Sequence, residues 1–176
     1  MGDRSKWSAQ RDYKGLAVLV IKIFLLLSLS TICFQDIKAR EVYWFLFPII
    51  GILSGYLHYI NTFKELFLAS IVINVSFVLI LIILIFIYSK LKLKKPMSET
   101  FALGDCLFFL AIAFSFSSIS FLITFIFSLI FSLLIHLILK RNSKFTTVPL
   151  AGYMSLFYIL IYLSMWTGLV ESLYIL

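Results

Sequence analysis

The sequence has few charged residues and few of the residues that build catalytic or metal sites. Only 13% of its 176 residues are charged, and it contains 2 cysteines, 2 histidines and 3 prolines. Cys33 and Cys106 form no CxxC spacing and have no histidine nearby, so they predict neither a disulfide framework nor a zinc site, but small buried side chains. HExxH, Walker A and paired acidic metal-binding motifs are also missing. We therefore expect no metal and no cofactor.

Long apolar runs dominate what is present. Hydrophobic residues make up 62% of the chain, and the mean hydropathy is +1.10. A helix that crosses about 30 Å of hydrocarbon needs roughly 20 apolar residues. Residues 15–34, 42–60 and 66–88 meet this requirement, and only Lys22 interrupts the first. We expect Lys22 to extend its ammonium toward the outer surface.

The remaining apolar sequence predicts three more spans. Residues 101–139 would form a helix of roughly 58 Å, about twice the bilayer core, so they should be two helices. The serine cluster at 115–120 is the expected turn, because serine favours caps and turns. Residues 148–170 give a sixth span. The sequence thus predicts an all-α polytopic membrane protein, with a polar interfacial segment at 1–14 and a six-helix core at 15–176. The first span lacks a cleavage pattern, which favours a retained helix.

Two aspartates should lie at the same face of this protein. Between Asp36 and Asp105 the predicted chain crosses the membrane twice, so it returns to the side that it left. Nine Lys and Arg residues flank the spans on that side and five on the other. Because cytoplasmic loops are enriched in Lys and Arg, the aspartates are expected at the cytoplasmic face of the membrane. The nine are Lys38, Arg40, Lys90, Lys92, Lys94, Lys95, Lys140, Arg141 and Lys144; the five are Arg4, Lys6, Arg11, Lys14 and Lys64.

The two aspartates are candidates for acid–base chemistry. Asp105 lies inside an apolar run, where an ionisable group is costly and usually faces a polar partner or cavity. Two carboxylates held close cannot both ionise cheaply, so they share a proton and provide one base and one acid. Each residue also has a structural interpretation: Asp105 as a helix N-cap, and Asp36 as a solvated loop residue beside Lys38 and Arg40.

Two motifs carry a resemblance to a known family. "ALGDC" (102–106) resembles the GxGD motif of intramembrane aspartyl proteases, and "DIKAREV" (36–42) resembles the D-[IVS]-[RK]-x-[RK]-x-[IV] segment of type IV prepilin peptidases. "TVPLAGYM" (147–154) resembles the apolar-Pro-x-[AG] segment that opens their last helix. The chain is therefore similar, from residue 15 onward, to the short members of that family, which consist of the peptidase core alone.

The resemblance implies a function and a set of site residues. Asp36 and Asp105 would be the catalytic pair of an aspartic endopeptidase that cuts the basic leader from prepilin-like or pseudopilin-like substrates of type IV pilus or secretion systems. The site would face the cytoplasm at a bacterial or archaeal cytoplasmic membrane. The motif residues expected to support the pair are Lys38, Arg40, Ala102, Gly104 and Pro149.

Departures from the family pattern are visible too. Ala102 replaces the first glycine of GxGD, Leu107 replaces a usual lysine, and Tyr43-Trp44 replace a usual Pro-Asn. The zinc-binding, methylating part of longer members has no counterpart, so N-methylation is not expected.

Other interpretations are weaker. Ser54 lacks the glycine of a rhomboid-like GxSG, and His58 and His136 are expected to be packed or interfacial. The net charge of +7 suits anionic lipid headgroups rather than nucleic acid, since the charges flank membrane spans. A non-catalytic scaffold or a small proton-coupled transporter remains the alternative function, because intramembrane carboxylates also mark ion pathways.

Overall fold

The chain folds into helices joined by short connections. The computed structural model describes residues 3–93, 103–139 and 148–174, and within these ranges there is no β-strand. The described ranges contain six α-helices and one short π-helical segment. The α-helices are α1 (Asp3–Ala39), α2 (Leu46–Ile60), α3 (Lys64–Tyr88), α4 (Leu103–Ile112), α5 (Ser118–Leu139) and α6 (Leu150–Trp166), and the π-helical segment is Ser89–Leu93. The all-α prediction is confirmed.

Three of the helices are long and apolar enough to cross a membrane. The candidate spans are Gly15–Ala39, Lys64–Leu91 and Ser118–Leu139. The other three described helices are shorter, with 15 residues in α2, 10 in α4 and 17 in α6. At about 1.5 Å per residue they measure roughly 15–26 Å, less than the hydrocarbon thickness. The structure therefore supports a membrane protein, with three helices among the described residues that are long and apolar enough to cross the bilayer.

Three helix boundaries differ from the expectation. The first helix does not end with the apolar run at residue 34 but continues to Ala39, so Asp36 is helical. It also extends back to Asp3, so part of the expected interfacial segment belongs to the same helix. The turn within 101–139 occupies residues 113–117, and α5 begins at Ser118. The division of that run into two helices is confirmed, with the turn a few residues earlier than expected.

Buried side chains hold that turn in place. Asn74 of α3 is fully buried, and its Nδ2 donates hydrogen bonds to the carbonyl oxygens of Ala113 and Phe116, both at 3.0 Å. The His58 ring Nδ1 lies 3.3 Å from the Phe114 carbonyl oxygen. Carbonyls that leave a helix inside an apolar protein need such partners. The turn is therefore anchored by polar side chains of α2 and α3.

Two glycines of α2 face α4 and the turn that follows it. Gly51 and Gly55 are four residues apart and so lie on one face of α2. A Cβ at Gly55 would lie 3.3 Å from Phe114 Cβ, and one at Gly51 would lie 3.7 Å from the Ala111 Cα and carbonyl oxygen. Small residues at this spacing let membrane helices approach closely and gain van der Waals contact.

The helices α1 and α6 pack side by side in opposite directions. At one end Asp36 lies against Gly152. At the other end the Lys22 ammonium lies 4.9 Å from the centre of the Trp166 ring. The fourteen residues between the contacts on each helix correspond to about 21 Å. Lys22 thus ends on an aromatic ring of α6, at the end of this pair that lies farther from the aspartates.

Candidate active site

The two aspartates occupy different helices at the same end of the bundle. Asp36 lies in the last turns of α1 and is 9% exposed, and Asp105 lies in the first turn of α4 and is 7% exposed. Burial of Asp36 within a helix contradicts the alternative interpretation as a solvated loop residue. Asp105 does lie at a helix beginning, as the N-cap interpretation required, but its carboxylate also reaches a different helix.

Both carboxylates accept hydrogen bonds from the beginning of α6. The Ala151 amide donates to Asp105 Oδ1 at 2.9 Å, and the Gly152 amide donates to Asp36 Oδ2 at 2.6 Å. The first amides of a helix have no partner within the helix, and the positive end of the helix dipole favours anions. Pro149 lies directly before this first turn, where its missing amide N–H is not needed. The start of α6 therefore binds both acidic groups.

This arrangement brings the two carboxylates together. Their donors are amides of consecutive residues, whose Cα atoms are about 3.8 Å apart. Asp36 and Asp105 therefore reach the same first turn of α6, although 69 positions separate them in the sequence. A pair of adjacent buried carboxylates can hold one proton between them and so provide both an acid and a base. Nucleophilic attack by an activated water is the chemistry that such a pair supports.

Gly152 allows α1 and α6 to come this close. A Cβ at this position would lie 3.1 Å from both Cβ and Oδ2 of Asp36, and 3.3 Å from Ile37 Cγ1. Contacts of 3.0–3.4 Å are tighter than nine in ten Cβ contacts in proteins, so the neighbouring atoms would have to shift by a few tenths of an ångström. The missing side chain thus lets the Gly152 amide reach the carboxylate directly.

The basic residues of the first motif lie in different environments. Arg40 directly follows α1 in the left-handed conformation, with φ of 60°, and lies near enough to Asp36 and Tyr153 for electrostatic interaction. Lys38 is exposed, and its ammonium lies 5.0 Å from the centre of the Phe34 ring. Arg40 therefore belongs with the aspartates, whereas Lys38 lies over a ring on the outside of α1.

The other expected support residues have modest roles. Gly104 precedes Asp105, and a Cβ there would meet Phe47 Cζ at an ordinary 3.6 Å, so this position does not require glycine for space. Pro149 is buried directly before α6. Ala102, the replaced first residue of the GxGD-like motif, lies outside the described residues.

The two amide donors, Ala151 and Gly152, were not predictable from the sequence. The segment 147–154 was singled out only for its resemblance, and backbone amides have no signature in a single sequence. Tyr153 was also missed: it is 6% exposed and lies near Asp36, Arg40 and Cys33. Its position directly after Gly152 is the signal that could have indicated it.

The remaining polar candidates lie elsewhere. His58 is fully buried against the turn at 113–117 and stacks on Tyr174 with 6.0 Å between ring centres. The Ser54 hydroxyl donates to the Gly51 carbonyl of its own helix at 3.4 Å. Burial also raises the pKa of the Tyr174 phenol above its ordinary value. Within residues 3–93, 103–139 and 148–174, no three His, Cys, Asp or Glu side chains come together as a metal site would require.

Comparison of the chain with protein-family models, with curated proteins and with solved structures found no match.

Proposed function

We propose that this protein is a membrane-embedded aspartic endopeptidase that removes a basic leader from prepilin-like or pseudopilin-like substrates at the cytoplasmic face of the membrane. The observation that carries the proposal is the placement of Asp36 and Asp105 on the consecutive amides of Gly152 and Ala151. The resemblance of the segments 36–42 and 102–106 to prepilin peptidase motifs supplies the substrate class.

The proposed reaction uses one proton shared by the two carboxylates. The ionised aspartate accepts a proton from water, and the protonated aspartate donates a hydrogen bond to the scissile carbonyl. Attack by the resulting hydroxide gives a tetrahedral intermediate, and transfer of a proton to the leaving amine releases the two peptides. The α6 amides hold both carboxylates in position before the substrate arrives.

We propose that the chain crosses the membrane six times, with α2, α4 and α6 as the shorter crossings. A short helix can cross where neighbouring helices cover its ends or where the bilayer thins locally. The excess of basic residues on the aspartate side supports a cytoplasmic orientation of the site, at the cytoplasmic membrane of a bacterium or archaeon.

The test is cleavage of a peptide that has a basic leader followed by an apolar helix. Wild type, Asp36→Asn and Asp105→Asn would be compared in proteoliposomes. An asparagine oxygen can still accept the α6 amide hydrogen bond, so the variants should fold. We expect wild type to cut at one position and each variant to lose at least about a hundredfold in rate.

Glu65→Gln is the matched control, because it also removes one carboxylate, at an exposed position in the first turn of α3. It should cut like wild type. Normal cleavage by either aspartate variant, or an inert wild type on a panel of leaders, would reject the peptidase and leave the scaffold or proton-coupled transporter.

A further inference from the structure

A groove lies on the protein surface between α1 and α6. It is close to the aspartates but does not include them. Its volume is about 490 Å³. The lining is almost entirely apolar, apart from one ammonium group at the end near the last turn of α1. The residues that matter here are Ser30, Cys33, Phe34 and Lys38 of α1 and Leu156 and Ile159 of α6.

Helix geometry explains why Lys38 faces this groove and not the aspartates. Each residue advances by about 100° around an α-helix, so Lys38 lies about 200° from Asp36. Asp36 accordingly points into the bundle toward Gly152, while the Lys38 ammonium lies over the Phe34 ring at 5.0 Å. Lys38 is therefore a groove residue, although it belongs to the same short motif as Asp36.

The cation and the apolar lining of the groove follow one another along the helix in the same order as the headgroup and the acyl chains of a phospholipid. It lies on a candidate membrane span, Gly15–Ala39, and Lys38 belongs to the last turn of that span. Ser30 lies eight residues before Lys38, or about 12 Å deeper along the helix. A cation at the level of the headgroups above an apolar channel at the level of the acyl chains matches an anionic lipid in charge and in polarity.

We propose that this groove binds an anionic glycerophospholipid, with one acyl chain along Phe34 and Ile159 and the phosphate beside Lys38. The charge of the groove and its position along the membrane span are independent of the proposed peptidase activity.

A second groove of the same protein has no cation and serves as a comparison for the effect of Lys38 on lipid selectivity. This groove has a volume of about 610 Å³ and lies between α2, α3 and α4. Its lining includes Phe47, Ile52, Phe67 and Leu107 and contains no ionisable side chain among the described residues. It could accommodate an acyl chain or another apolar segment, but nothing in it distinguishes an anionic headgroup from a zwitterionic one. Selectivity for anionic lipid should therefore belong to the α1/α6 groove.

The bound lipid would contact the part of α1 that carries Asp36. Cys33 and Ile37 line the groove on one side of α1, and Ile37 also borders Gly152. An acyl chain in the groove would pack against the helical turns that carry Asp36 and would exclude other molecules from that side.

The experiment measures how much lipid the full chain retains after extraction from vesicles. Protein reconstituted in phosphatidylcholine vesicles containing one quarter phosphatidylglycerol would be extracted in mild detergent, and its bound lipids counted by native mass spectrometry. We expect wild type to retain one phosphatidylglycerol with about fivefold preference over phosphatidylcholine, the selectivity that one lysine near the surface supplies. Lys38→Gln should lower the preference to about one, and Lys38→Arg should keep it.

Two further variants separate the groove from general charge effects. Lys64→Gln removes an exposed lysine at the beginning of α3 and should leave the preference unchanged. Ile159→Trp should fill the apolar part of the α1/α6 groove and reduce retention of both lipids, whereas Ile52→Trp in the second groove should not change the phosphatidylglycerol preference.

A photoactivatable phosphatidylglycerol should crosslink within residues 30–38 or 156–159. Equal preference in wild type and Lys38→Gln, or crosslinks confined to α2 and α4 or to a second copy of the chain, would overturn the proposal. Because the readout is bound lipid, it stands or fails independently of peptide cleavage.

Discussion

The amide of Gly152 donates a hydrogen bond to Asp36 Oδ2 at 2.6 Å, across 116 positions of sequence. The contact joins the end of α1 to the beginning of α6. It needs a residue without a side chain at position 152, because a Cβ would come within 3.1 Å of the aspartate. One backbone group thus connects a candidate catalytic carboxylate of α1 to α6.

Replacement of Gly152 by alanine should lower the rate of peptide cleavage more than it lowers the stability of the fold. The added methyl group must displace Asp36 or separate α1 from α6, and overpacking of this kind costs about 1–3 kcal/mol. We expect a drop in peptide cleavage of at least tenfold with unchanged membrane insertion. Cleavage kinetics and thermal unfolding in detergent would measure the two effects.

Gly51→Ala is the control for this change, because its Cβ would meet α4 at ordinary contact distances of 3.7 Å and more. It should cleave at a rate within about twofold of wild type. Equal losses in both variants would show that the Gly152 effect is a general loss of packing and not a displacement of Asp36.

Both aspartates of this candidate site could be singled out from the sequence, and the reason is chemical. Asp36 and Asp105 stand out because ionisable groups are rare in apolar sequence, and the even number of crossings between them predicted a shared face. The amide donors in α6 could not be predicted from the sequence, because every residue except proline has the same backbone amide. The helical position of Asp36 was not predictable, because "QDIKARE" has the composition of a loop, whereas in the structure Asp36 lies in α1 and contacts the beginning of α6.

The same limit applies to the fold. The length of the run at 101–139 and its serines predicted two helices correctly. The partners of the turn carbonyls were not predictable, because Asn74 lies in α3, some forty positions earlier. Nothing local distinguishes Asn74 from a polar residue that faces a cavity.

Asn74 should matter for stability, although it lies far from the aspartates in the sequence. Asn74→Ala would leave the carbonyls of Ala113 and Phe116 without these donors inside an apolar bundle, at a cost of about 1–3 kcal/mol. Denaturant titration of the detergent-solubilised protein would measure the loss. Asn61→Ala removes a single hydrogen bond to Leu57 at an exposed position and should cost less than about 1 kcal/mol. Similar losses in both variants would contradict the anchoring role of Asn74.

Cleavage should depend on pH through the shared proton. As the pH rises, the second carboxylate also ionises and the acid that polarises the scissile carbonyl is lost, so the rate should fall. As the pH falls, both carboxylates become protonated and the base is lost. The kcat/KM values of wild type between pH 5 and 9 should therefore vary, and activity should return when the pH is restored to the optimum. A flat profile over this range would contradict the two-carboxylate mechanism.

Two exposed positions, one in the α1–α2 connection and one in the α2–α3 connection, can test which side of the membrane the aspartates face. Tyr43, between α1 and α2, is 62% exposed, and Phe63, between α2 and α3, is 76% exposed. Both would be replaced singly by cysteine in a background in which Cys33 and Cys106 are serine. We expect a membrane-impermeant maleimide to label Phe63→Cys in intact cells, and to label Tyr43→Cys only after the membrane is opened. The reverse pattern would place the aspartates outside the cell, where they could not meet a leader that is still cytoplasmic, and would reject the proposed substrate even if Asp36 and Asp105 act as a pair.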